Sequence, residues 1–482
     1  MSHYGIVTIF SGAIGFLSLP FFTRYLTPGD YGILALFHMF GTLTTQFISV
    51  GIGEATTRYY YKEKDNLTYF GSLNFTNFTF LIIGFALGGL VVWISADTLS
   101  INLFDRKISR EIVMLSYLSG CLFKIYAYLS GLLIPQERSL SYALTTGAFT
   151  LINTLMAIIL ILFYSLTFYA RIYSILFTTP ILIVALIYLQ RTYFRQHWSW
   201  AALKRSLTFS YPFVPGTIIG LVHQSFDKTM LTHVKGLMVV GHYQIAQRIG
   251  ELNKMLITVV SQAWAPYFMH KAELGTEQAK DEIVARYLEV VMIFNYSSVL
   301  ICCFSEEIVR LLTTEAFYPA MYIVPIIVMY ILLSHLLSAI AKLQVVFAEK
   351  LLFTLPGAFT ALVVNLGLNI ILIPKYGAIG AALATAVASL TSNVILFYYG
   401  QKYYPLPIYY RKLVGQFFLF SAFLIPVYWL MFVELPLWLK VVVKLPLLGF
   451  YFFLTLQLSF ISWNRLVTVY NRLIKNNKLS IE

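Results

Sequence analysis

Seven polar side chains stand three and four residues apart along an otherwise apolar run: Gln244, Gln247, Arg248, Glu251, Lys254, Thr258 and Gln262. On a helix that spacing puts them on one face. Such a stripe of guanidinium, ammonium, amide and hydroxyl groups can hold an anionic or hydroxyl-rich molecule through charge-assisted hydrogen bonds. A second run carries His38, Thr42, Thr45 and Ser49 at the same kind of spacing, and a third carries His335, Ser338 and Lys342. Backbone polarity is already satisfied inside a helix, so these side chains gain nothing by facing lipid and should face an interior cavity. Hydrogen bonding between helices is the competing reading for the Thr, Ser and Gln positions. For Arg248, Glu251, Lys254, Lys124 and Lys342 the reading is a transport pathway, because ionisable groups at membrane depth mark one. His223 and Asp227 are four apart and are followed by Lys228. Asp227 is thus a candidate for ion or proton coupling, with pairing to Lys228 or Arg248 as the alternative. Arg24 ends the first apolar run, and Arg58 stands four residues after Glu54, where the two can pair at the membrane edge.

The elements that must position these groups belong in a bilayer. The chain is 59% hydrophobic and 11% charged, whereas a soluble domain is about a quarter charged. Fourteen apolar segments are read at 5–23, 33–53, 72–95, 111–134, 142–164, 167–190, 209–231, 237–264, 285–304, 321–347, 353–373, 377–399, 413–433 and 439–461. Each is near the roughly 20 residues that span a membrane. The fold expected is an all-α polytopic membrane protein with about 14 transmembrane helices. The net charge of +13 is spread through short loops without a basic block, which argues against nucleic acid and reads as an orientation signal. With the N-terminus inside, the inside loops and tail hold nineteen Lys and Arg residues against eight outside, the outside set including Arg24, Arg310 and Lys440. Both termini are therefore expected in the cytoplasm. Cys121, Cys302 and Cys303 fall inside apolar runs as small hydrophobes, implying neither disulfide nor metal. The first run lacks a charged n-region and a small-residue cleavage site, so it is expected to remain as a helix.

One shift of 212 residues lays Tyr31 on Tyr243, Glu137 on Glu349, Asn153 on Asn365 and Tyr164 on Tyr376, and sets INTLMAIILI beside VNLGLNIILI. The shift equals six helices, so the halves enter the membrane from the same side, as parallel repeats do. The organisation expected is two pseudo-symmetric six-helix bundles at 1–190 and 209–400, joined by a cytoplasmic segment at 191–208. Residues 401–482 add two helices and a cytoplasmic tail. The longest loops, near 54–71, 96–110 and 191–208, are too short to enclose a catalytic domain. HExxH, Walker and GxSxG motifs are absent, so neither catalysis nor a cofactor is expected.

The run PFFTRYLTPGDYG followed by GIGEATTRYY resembles the N-terminal hairpin of the bacterial polysaccharide biosynthesis flippases. These are the O-antigen and capsule flippases of the multidrug/oligosaccharidyl-lipid/polysaccharide exporter superfamily. IPQERSLSYALTTGAF and SFDKTMLTHVKGLMVVGHYQIAQRIGEL are similar to later stretches of the same family, so the resemblance spans essentially the whole chain. It implies two six-helix bundles around a central cavity, in the bacterial cytoplasmic (inner) membrane. The cargo it implies is a glycan on undecaprenyl diphosphate, handled beside membrane lipids and the polymerase and glycosyltransferases of the same pathway. Arg24 and Arg58 match basic positions of the family's N-terminal hairpin, and Arg248 one in its eighth helix. A cavity of Arg and Lys suits a diphosphate, and the lipid tail can stay in the bilayer along the two added helices. Three rivals remain: a multidrug exporter, whose cavity should be acidic or aromatic; a peptidoglycan-precursor flippase; and a polysaccharide polymerase or ligase, which should carry a large extracytoplasmic loop.

Overall fold

A computed structural model describes residues 2–63, 65–104, 109–194 and 197–458. Among them there is no β-strand, and seventeen α-helices follow in order. They are α1 (Ser2–Leu17), α2 (Leu19–Tyr25), α3 (Pro28–Ser49), α4 (Ile52–Glu63), α5 (Leu67–Phe104), α6 (Arg110–Gly131), α7 (Ser139–Tyr164), α8 (Phe168–Leu189) and α9 (Trp200–Ser210). Then come α10 (Val214–Lys235), α11 (Leu237–Glu273), α12 (Glu277–Cys303), α13 (Ser305–Leu312), α14 (Val324–Phe347), α15 (Leu355–Tyr403), α16 (Tyr410–Phe432) and α17 (Leu437–Gln457). Eleven stretches are long and apolar enough to cross a membrane. The difference from the fourteen segments read in the sequence has two sources. α10 and α11 are long enough but more polar, and α15 is a single stretch turned at Gly377 (φ 57°, ψ −130°) where two segments were read. The tail expected in the cytoplasm, with its basic residues Arg465, Arg472, Lys475 and Lys478, lies outside the described residues.

Three loops of the sequence reading are partly helical. Residues 54–63 belong to α4, 96–104 to the end of α5 and 200–210 to α9. α4 buries Ile52, Ala55, Thr56 and Tyr59, the i, i+3, i+4, i+7 pattern of an amphipathic helix. Its low hydropathy hides that pattern from a search for apolar runs. The TPGD motif is a helix start. Thr27 caps α3, with its hydroxyl accepting from the Asp30 amide at 3.2 Å and the Asp30 carboxylate accepting from the Thr27 amide at 2.8 Å. This reciprocal box satisfies two amides that the helix leaves open, and Pro28 at the first helical position has no amide to satisfy.

The chain packs as two compact units. The first runs to Arg248 and adds Leu312–Tyr318 and Leu362–Ala384. In it α3 lies on α6 so closely that a Cβ on Gly41 would stand 2.6 Å from the Ser116 carbonyl oxygen. Gly120 faces Gly41 in return, the small-residue contact by which membrane helices approach backbone to backbone. The second unit takes Ile249–Leu311, Pro319–Ala361 and Thr385 onward. There α12 packs against α14, α16 and α17. Lys440, which the sequence reading counts among the outside loop charges, is instead buried. It donates to Glu306 at 2.9 Å, because α13 carries a carboxylate to meet it.

Backbone geometry repeats at the interval read in the sequence. Glu137 and Glu349 are both left-handed at φ 57°, Ser165 and Gly377 share a positive φ of 53° and 57° with ψ of 26° and −130°, and each pair is 212 residues apart. Arg138 N–H donates to the Leu133 carbonyl at 3.0 Å, and Lys350 N–H to that of Val345 at 2.9 Å. Each is the same helix-ending turn, for which Gly is the usual residue. An L-residue in that conformation costs about 1–2 kcal/mol, and glycine returns part of this as unfolded-state entropy. Glu137→Gly and Glu349→Gly are each expected to stabilise the purified protein by about 0.5–1 kcal/mol in thermal unfolding. A loss of stability would mean that the glutamate side chains make contacts worth more than the strain.

Candidate functional site

The first unit holds a pocket of about 50 Å³ lined by Tyr31, His38, Arg171, Gln244 and Arg248, with Phe22 and Leu26 among its apolar walls. That is room for a few waters or one phosphate-sized group. Five helices supply it: α1, α2, α3, α8 and α11. On α3, Tyr31, Leu34, Ala35 and His38 share one face, and on α11 Gln244 and Arg248 are four apart. The N-terminal ends of these two helices meet at glycines. A Cβ on Gly32 would run into the Leu237 carbonyl and one on Gly241 into that of Pro28, so any side chain there would push the polar faces apart. Tyr31 also packs edge-on against Phe317, with ring centroids 5.3 Å apart. Thr314 Oγ1 donates to the Thr23 carbonyl at 3.1 Å, pinning that segment beside α2.

Arg171, from the first turn of α8, sits with its guanidinium 4.5 Å from the centre of the buried Phe22 ring. The aromatic face holds the group without neutralising it. No carboxylate lines the pocket, and Arg171 takes part in no ion pair among the described residues. Two guanidinium groups and an imidazole thus line one small cavity. Its chemistry is that of an anion receptor.

The other residues singled out in the sequence are distributed more widely. Arg24 ends α2 and is exposed, but it does not line the pocket. Lys124 on α6 donates to the Gln46 side chain of α3 at 2.5 Å. Arg58 has no ion pair with Glu54 among the described residues. Its guanidinium lies 4.8 Å from the Phe209 ring centre, where α4 packs on α9. Beside it Arg205 bridges Glu63 at 2.9 Å and the Tyr69 hydroxyl at 3.0 Å. Asp227 on α10 is buried, and Tyr243 O–H donates to it at 2.9 Å. The stripe on α3 divides: His38 and Thr42 are exposed, while Thr45 and Ser49 are buried and donate to their own helix backbone. Thr45 and Ser49 thus make neither a pocket wall nor a bond between helices, since their hydroxyls return to α3 itself.

In the second unit Glu251 and Lys254 are exposed on α11, as is Lys342 on α14. His335 lies within electrostatic reach of both lysines and uses Nδ1 on the Ile331 carbonyl at 2.8 Å. The sequence reading missed Arg171. The signal was present, since Arg171 is the single charged residue of the segment at 167–190, and a charge inside an apolar segment is itself a functional marker.

The family model described as "Polysaccharide biosynthesis protein" matches residues 2–271. An uncharacterized membrane protein of Haemophilus influenzae is 24% identical over 289 residues, which is 58% of this chain and 67% of that protein. Among solved structures, lipid II flippase MurJ in an inward closed conformation is similar with a TM-score of 0.74. That match covers 95% of this chain and 99% of the other at 15% identity. An inward-facing multidrug resistance MATE family transporter of the MOP superfamily gives 0.65 over 83% of this chain and 94% of its own, at 14% identity. At these identities the likeness is one of fold: all-α, of the type these exporters share.

Proposed function

The chain belongs to the polysaccharide biosynthesis protein family, and from that premise we propose that it flips a glycan carried on undecaprenyl diphosphate across the bacterial cytoplasmic (inner) membrane. The glycan is an O-antigen, capsule or related surface-polysaccharide unit. The observation that carries this reading is the pocket in which Arg171 and Arg248 stand with His38, Tyr31 and Gln244 and no carboxylate. A diphosphate leaving water loses its hydration, and fixed guanidinium donors replace it. Lys124, Lys254 and Lys342 are assigned as further cationic contacts of the cargo, Gln and Thr side chains suit sugar hydroxyls, and the isoprenoid tail stays in lipid. Transport proceeds by alternate opening of the bundles at 1–190 and 209–400, with both termini cytoplasmic. Asp227 is assigned to ion coupling because it is a buried carboxylate held ready by Tyr243. Polymerase and glycosyltransferases of the same pathway supply and consume the cargo.

A second reading, a peptidoglycan-precursor flippase, draws support from the fold shared with lipid II flippase MurJ. It needs the same diphosphate site and differs in the sugar. An organic-cation exporter is disfavoured, because paired guanidinium groups repel its cargo. The test is thermal unfolding of the purified full-length protein with undecaprenyl diphosphate, undecaprenol or tetraphenylphosphonium. The diphosphate is expected to stabilise it, by about 2.7 kcal/mol at a hundred times its Kd, and the neutral alcohol far less. Stabilisation by the organic cation without any by the diphosphate would reverse the assignment. Restored surface glycan in a host lacking its own O-antigen flippase separates the first reading from the second.

A further inference from the structure

Where α5 and α6 run side by side they leave a groove of about 490 Å³, away from the cationic pocket, walled by Leu90, Trp93, Met114 and Leu118. Its depth has a local cause. Tyr117 turns inward and donates its hydroxyl to the Phe85 carbonyl at 2.6 Å, filling the space over Gly88. Gly89 then contributes no side chain to the wall. Leu90, Trp93 and Leu118 are 59%, 56% and 49% exposed, so the groove opens outward from helices long and apolar enough to sit in a bilayer.

Two opposite charges stand together at the start of α6. Arg110 is clamped against α5, its guanidinium 5.2 Å from the Trp93 ring centre and donating to the Trp93 carbonyl at 2.7 Å. Its 3.3 Å pair with Asp97 is exposed on both sides, and such pairs yield readily to a competing anion. Glu111 lines the groove, is exposed, and makes no side-chain hydrogen bond or ion pair among the described residues. An aromatic belt residue with an adjacent cation and anion is the signature of a headgroup level.

We propose that this groove binds a phospholipid whose headgroup carries a primary amine. One acyl chain lies along Leu90, Met114 and Leu118, the phosphate meets Arg110 and the ammonium meets Glu111. Glu111 and Trp93 both line the groove and Arg110 packs on Trp93, so a headgroup lying there has one partner for its phosphate and one for its amine. An anionic headgroup without an amine meets Glu111 as a like charge. A quaternary ammonium has no N–H to donate to it.

The test is native mass spectrometry of the full-length protein with phosphatidylethanolamine, phosphatidylglycerol or undecaprenyl phosphate added separately at equal concentration. Phosphatidylethanolamine should be retained about fivefold more than phosphatidylglycerol, the effect of one exposed charge pair, and Glu111→Gln should erase that preference. Gly89→Leu and the exposed-face variant Leu118→Trp should each cut phosphatidylethanolamine adducts, with thermal unfolding confirming that the variants are folded. Equal retention of the two phospholipids by the native protein overturns the proposal. So does retention unchanged in Gly89→Leu and Leu118→Trp. Preferred retention of undecaprenyl phosphate that Gly89→Leu removes also overturns it, and assigns the groove to the cargo's tail.

Discussion

Arg171→Ala is expected to abolish glycan transport as completely as Arg248→Ala, although only Arg248 stands out in the sequence. Both guanidinium groups line a pocket to which no carboxylate contributes, and under the proposed function the diphosphate is the anion that Arg171 meets there. Truncating one member of a close, desolvated charge pair costs about 2–5 kcal/mol, which is about 30-fold to several thousand-fold in affinity. Arg171→Lys should keep part of the activity, because it preserves the charge and loses the planar fork and its stacking on Phe22. The readouts are surface glycan display and accumulation of lipid-linked glycan in a host lacking its own flippase, with protein level followed alongside. Arg171 breaks no ion pair among the described residues, so its loss should leave the fold intact. Arg24→Ala is the contrasting variant: Arg24 is exposed at the end of α2 and outside the pocket, and its loss should be the milder. Full display from the Arg171→Ala, Arg248→Ala double variant would remove the anion-receptor mechanism.

That Arg248 stands out and Arg171 is easily passed over follows from how each is marked. Arg248 belongs to a stripe of polar residues at helical spacing, and periodicity is the strongest signal a sequence offers. Arg171 stands alone among apolar residues and enters the pocket because α8 packs beside α2 and α3, a tertiary fact. The same distinction explains the segments. Apolar runs gave the long helices, whereas α4 and α9 have a polar face that lowers their mean hydropathy, and they read as loops. The 212-residue shift is carried by few identities, yet it places Glu137 on Glu349, which share a left-handed backbone, and Ser165 on Gly377, which share a positive φ. Turn geometry outlasts side-chain identity because the chain must reverse at those points. Charge position was the least legible feature. Lys440 looks like a flanking loop charge next to an apolar run, and only the packing of α13 against α17 turns it, with Lys444, into a buried network.

That network should be the most sensitive structural element of the second unit. Lys440 donates to both Glu306 carboxylate oxygens at 2.9 and 3.0 Å, and Arg310 reaches the same carboxylate at 3.0 Å. Lys444 donates to Glu307 at 2.7 and 2.8 Å. The Lys444 side chain is 0% exposed and that of Glu306 1%, so neither can recover water if its partner is removed. Breaking such a pair costs about 3–5 kcal/mol, while replacing both members by apolar groups of similar volume is often neutral or stabilising. Lys444→Ala is therefore expected to lower the melting temperature of the purified protein by on the order of 10 °C. Glu307→Ala should act similarly, and the Lys444→Met, Glu307→Leu double variant should recover most of the loss. A double-mutant cycle isolates the coupling, and limited proteolysis after α16 reports whether α17 has left the unit. If the two single variants instead melt normally but fail to transport, Glu307 and Lys444 belong to the transport cycle, and α17 is held by its other contacts, such as Tyr451 O–H donating to Asn295 at 2.7 Å. If they melt low and the apolar pair restores both melting and transport, the charges serve to dock α17, and the cationic pathway ends short of them.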